Sequence, residues 1–123
     1  MPLRSRSRRA VLAGVLILVL SARHSEAHAI LEASEPPAGG IVPAGSVALK
    51  LRFNSRVDRA RSRLTLTKPD QTKAALPIEP DGPPDILTAT ATLTPGVYSV
   101  RWQVLAVDGH ITRGDVPFTV TGN

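Results

Sequence analysis

Apolar and polar residues alternate one for one in three stretches of this chain, and a period of two fits a half-buried strand and little else. Val47, Leu49, Leu51 and Phe53 share one phase, with Ala48, Lys50 and Arg52 in the other. Tyr98, Val100, Trp102 and Val104 repeat the pattern against Ser99, Arg101 and Gln103. Val116, Phe118 and Val120 do so again near the end. Weaker strand candidates are Ala29–Ala33, Arg63–Thr67, Ala75–Ile78 and Leu87–Leu93. Breakers separate them: Pro36-Pro37-Ala38-Gly39-Gly40, Pro43, Pro69-Asp70, Pro80-Asp81-Gly82-Pro83-Pro84 and Pro95-Gly96. No segment carries a helical stripe. The expectation is an all-β chain of about seven short antiparallel strands, closed as a sandwich or barrel. Its four aromatic residues, Phe53, Tyr98, Trp102 and Phe118, all fall in the inward phase.

The first 27 residues follow a different rule. Arg4, Arg6, Arg8 and Arg9 precede the unbroken apolar run Ala10–Leu20, and Ser25 and Ala27 are the small residues at the −3 and −1 positions of a cut. Eleven apolar residues fall short of the roughly 20 that span a bilayer as a helix. Residues 1–27 therefore read as a cleavable export signal, and 28–123 as one small domain. Ser7-Arg8-Arg9 also fits a twin-arginine signal, the alternative being an ordinary basic leader. Export places the domain in the periplasm, or else outside the cell or on its surface.

That division changes the charge. Fifteen basic and ten acidic side chains fall to ten and nine once the five arginines and one glutamate of residues 1–27 are set aside. A domain so nearly neutral has no nucleic-acid footprint. Cysteine is absent and Met1 is the only methionine, which excludes thiolate sites, cysteine nucleophiles and a thioether copper(I) site within the domain. Arg59, Arg61 and Arg63 alternate in sequence, a pattern expected of a solvated strand edge more than of a docking face for an anionic membrane.

A cut after Ala27 makes His28 the first residue, and His110 is then the only other histidine. A free α-amine, the imidazole beside it, a distant imidazole and the Asp108 carboxylate form a nitrogen and oxygen donor set that suits square-planar or tetragonal copper(II). The amine must shed its proton, so binding should weaken as pH falls. Asp108 could ligate directly or orient His110. The plain alternative is that Asp108-Gly109 is an ordinary turn and His110 an exposed loop residue.

His28-Ala29-x-Leu31-x-x-Ser34-x-Pro36-x-x-Gly39 resembles the mature start of the CopC family of periplasmic copper-resistance proteins. Leu49-x-Leu51-x-Phe53 is similar to the family's next strand. Gly96-x-Tyr98-x-Val100-x-Trp102-x-Val104, followed by Asp108-Gly109-His110, Gly114, Phe118 and Val120, resembles its C-terminal signature. The resemblance implies a small Greek-key β-sandwich of immunoglobulin-like or cupredoxin-like type. It implies one copper(II) ion per chain on His28, Asp108 and His110, with no catalysed reaction. It also implies a monomer that cooperates with a CopD-type inner-membrane copper transporter. Relatives with a copper(I) site carry a methionine-rich loop that this chain lacks. Relatives often have an acidic residue soon after the second-strand phenylalanine, where this chain has Asn54-Ser55-Arg56.

Two other readings stand beside this one. Lytic polysaccharide monooxygenases also hold copper between an N-terminal histidine and a second histidine, although four core-phase aromatics leave no aromatic substrate face here. A plain immunoglobulin-like interaction module would carry both histidines as surface residues.

Overall fold

A computed structural model of the protein describes residues 28–122; the expected export signal lies outside the described residues. The chain forms β1 (Leu31–Glu35), β2 (Gly40–Pro43), β3 (Gly45–Phe53), β4 (Arg63–Thr67), β5 (Lys73–Leu76), β6 (Ile86–Leu93), β7 (Gly96–Leu105) and β8 (Ile111–Thr121). A 3-10 turn, Arg59–Arg61, precedes β4. Two sheets result, with strand orders β1-β3-β6 and β2-β8-β7-β4-β5.

The period of two is realised as expected. Along β3 every second residue from Val47 to Phe53 is buried, and along β7 the same holds from Tyr98 to Val104. All four aromatics are buried. Phe53 and Trp102 meet edge to face across the two sheets, with ring centroids 5.3 Å apart, and Tyr98 stacks on Phe118 within the larger sheet at 5.8 Å. Burying each such side chain stabilises the fold by roughly 1.5–3 kcal/mol, the main resource of a domain without disulfides.

Two expectations need correction. The described residues hold eight strands, in line with the expected count of about seven, the additional one being Gly40-Ile41-Val42-Pro43, which pairs with Phe118–Thr121. That pairing is parallel, so the sheets are not wholly antiparallel. Its glycine and proline ends read as a loop in the sequence, yet a four-residue rim strand tolerates both. The arginine stripe is not a strand edge either. Arg59 and Arg61 lie in the 3-10 turn, and Arg63 opens β4, which is paired on both sides. The Arg59 guanidinium donates to the carbonyls of Glu79 (3.2 Å), Pro83 (2.8 Å) and Ile86 (3.1 Å), pinning the proline-rich loop before β6.

One feature of this frame positions the candidate site. β7 and β8 form a hairpin in unbroken register from Gly96↔Val120 to Leu105↔Ile111. Asp108 and His110 sit at its closed end.

Candidate metal centre

The β7–β8 connection is a three-residue hairpin loop, Val107-Asp108-Gly109. The Gly109 N–H donates to Ala106 O at 3.0 Å and the Ala106 N–H to His110 O at 2.9 Å. Gly109 has φ of 85°, the left-handed value that closes such loops and that glycine adopts without a Cβ clash. The Asp-Gly dipeptide therefore forms the turn that the sequence suggests, and the same loop carries both Asp108 and His110.

Within it the Asp108 carboxylate is held twice by His110. Oδ1 accepts the His110 backbone N–H at 3.0 Å, and Oδ2 lies 2.9 Å from the His110 Nδ1. The backbone hydrogen bond is the largest cause that lowers the Asp108 carboxyl below its ordinary value; the His110 side-chain bond and the two nearby imidazoles add to it against partial desolvation.

His28 arrives from the opposite end of the sequence. Ala29 is fully buried and its carbonyl accepts the Thr112 hydroxyl at 2.7 Å. Asn54 then grips Ile30 on both sides, its Oδ1 accepting the Ile30 N–H at 2.8 Å and its own N–H donating to Ile30 O at 2.9 Å. The strap leaves the His28 Nδ1 3.4 Å from Asp108 Oδ2 and its ring edge-on to His110, centroids 4.7 Å apart. Neither Asn54 nor Thr112 stands out in the sequence. An amide just past a strand and a hydroxyl two residues after a histidine become legible only when the strap is seen between them.

All three residues singled out in the sequence thus converge, one potential ligand atom from each lying within 4.8 Å of the others. An ion about 2 Å from each donor asks for donors about 3–4 Å apart, so the cluster is within about 1 Å of chelating geometry. The side chains retain 50% (His28), 18% (Asp108) and 66% (His110) of their exposure, an open site at the molecular surface. Two imidazoles, one carboxylate and no sulfur suit borderline divalent ions, copper(II) foremost in the affinity order.

Comparison with known proteins identifies the family. A sequence profile of the CopC domain matches residues 31–121. Protein YobA of Escherichia coli strain K12 is 36% identical over 98 residues, covering 76% of this chain and 79% of its own length. The crystal structure of CopC from Methylosinus trichosporium OB3b superposes with a TM-score of 0.70 at 30% identity, covering 78% of this chain and 96% of that one. PcoC, a methionine-rich copper resistance protein from Escherichia coli, gives a TM-score of 0.63 at 26% identity, covering 77% and 100%.

Proposed function

The chain belongs to the CopC family of copper resistance proteins, and from that premise we propose that it is an exported copper(II) carrier that buffers or delivers the ion in the periplasm. The observation that carries this reading is the convergence of His28, Asp108 and His110, from the two ends of the domain, at one exposed point. On this reading removal of residues 1–27 frees the His28 α-amine, which chelates together with the Nδ1 of the same residue. His110 supplies a third nitrogen. Asp108 either fills the fourth position or fixes the His110 ring through Nδ1 and leaves Nε2 to the metal. The single ion is cargo rather than a catalyst, and methionine is missing for a second, copper(I), site. The protein acts as a monomer, and a CopD-type inner-membrane transporter is its partner in handling the ion.

Exposure supports delivery as well as binding. A buried, closed site holds a structural metal, whereas a site open on one side lets another molecule's ligands enter before the first set leaves.

The test is a copper(II) titration followed by electron paramagnetic resonance, comparing the chain that starts at His28 with one that retains Ala27. The His28 chain should bind one tight equivalent with a nitrogen-rich tetragonal signal. The extended chain should lose or change that signal, since its amine sits one residue too far away. Equal weak binding by both would end the terminal-histidine site.

A further inference from the structure

The metal cluster has an unusual setting for an exposed polar site. Of the five large apolar side chains left exposed among the described residues, three lie within two positions of a proposed ligand in sequence: Ile30 (60% exposed), Val107 (67%) and Ile111 (49%). Apolar groups gathered at one end of a sandwich mark a contact surface more than chance does.

Val107, one of the three, lines an open groove of about 520 Å³ that Gly109 of the same loop also borders. Val57 and Ala106, joined by a short antiparallel bridge, line it together with Pro84 and Val107. Its charged lining residues are Arg56, Arg61 and one acidic residue, Asp58, whose Oδ1 is engaged in capping the 3-10 turn through the Arg61 N–H. The Arg61 Nε has one weak carboxylate contact, Asp58 Oδ2 at 3.8 Å, with 76% of its side chain exposed. Among the described residues no carboxylate lies within ion-pair distance of Arg56.

Resting on the carrier reading, we propose that this groove docks an extended acidic segment, with apolar residues between its carboxylates, of the protein that exchanges copper with this chain. Charge complementarity chooses the occupant: two under-paired cations beside apolar walls select carboxylates interleaved with apolar side chains. Docking here places the incoming segment beside Gly109, within reach of an ion held by Asp108 and His110. The arginines then serve recognition and encounter rate, and the apolar collar excludes water during transfer.

The test uses two labelled peptides of equal length, one alternating glutamate and leucine, the other with serine for each glutamate. Anisotropy is followed against the copper-loaded chain beginning at His28. The parent should bind the acidic peptide about tenfold more tightly than the serine peptide, and the double variant Arg56→Glu/Arg61→Glu should abolish that preference. Its melting temperature and copper spectrum should match the parent's. Should that variant fold poorly, Arg56→Gln/Arg61→Gln replaces it and should show a reduced preference. Equal binding of both peptides by the parent, or a preference that the variants keep, overturns the proposal. So does arginine-dependent binding to phosphatidylglycerol vesicles without any peptide preference, which would assign the groove to lipid. Failure of the carrier reading is seen separately, as the absence of a tight copper signal in the same samples; the peptide preference is then decided on the metal-free chain.

Discussion

Trp102 fills the space in which Gly114 would carry a side chain. The two are cross-strand partners in the β7–β8 hairpin, and a Cβ built on Gly114 would lie 2.6 Å from Trp102 Cε2 and 2.8 Å from Nε1. Trp102 in turn packs edge to face on Phe53 of the other sheet, so it cannot retreat without disturbing the core.

Gly114→Ala should therefore destabilise the fold by about 1–3 kcal/mol, the usual cost of overpacking. Thermal melts should show a Tm lower by several degrees, with about 4–8 °C expected per kcal/mol in a domain of this size. An unchanged Tm would show that the indole has room to move.

Asn54→Ala removes the side chain that accepts the Ile30 N–H and frees the strap that carries His28. Copper(II) affinity should fall roughly 10-fold, in the range found when a residue that orients a ligand is lost. Hydrogen exchange at Ile30 should accelerate while exchange in β7 stays slow. Thr112→Val should act in the same direction, because the Thr112 hydroxyl holds the Ala29 carbonyl. Affinities equal to the parent's in both variants would mean that the metal alone orders the strap.

Asp108→Asn keeps the shape of the loop and removes the anion that faces both imidazoles. Copper(II) affinity should drop by about 10–100-fold at neutral pH. The spectrum separates the two roles of Asp108: a changed coordination signature marks a direct oxygen donor, and a weaker site with the parent's signature marks an orienting contact.

Asp70 gives a pH dependence unconnected with the metal. Its Oδ1 accepts the Thr72 hydroxyl at 2.6 Å and the Thr72 N–H at 3.0 Å. The hydroxyl bond is the first cause that lowers its carboxyl below 3.8, and the backbone bond is the second. Because the native value lies below the unfolded one, the stabilisation is present above about 3.8 and is lost as pH falls through the native value. Asp70→Ala should thus melt below the parent at pH 7, and the gap should close as the solution is acidified into that window. A gap constant with pH would place the effect in turn propensity instead.

How much of this was legible before the fold was known depended on whether a residue's role is local. Val47 to Phe53 and Tyr98 to Val104 declare themselves because burial on one face of a strand imprints its own period. Asp108-Gly109 declares a turn for the same reason. β2 does not, since Gly40 and Pro43 mark a break and the strand exists only because β8 offers an edge to it. Arg59 looked like part of a charged stripe, and its three carbonyl partners lie 20 or more residues away. The metal cluster fell between these cases. Its members were visible as residue types, whereas Asn54 and Thr112, which bring His28 to the hairpin end, depend on contacts that span 24 and 83 positions.

The strap and the hairpin end bring together positions 28 and 110, almost the full length of the domain. An ion bound to both histidines as proposed would close a loop of 110 − 28 = 82 residues. Because the folded chain alone holds the two histidines together, such an ion would stabilise the fold by mass action, by about 2.7 kcal/mol at a free concentration 100 times its dissociation constant. This sequence has no cysteine with which to make that closure covalently. Loaded, the carrier would be stapled end to end by its own cargo; on release it would return to a looser and more easily opened chain.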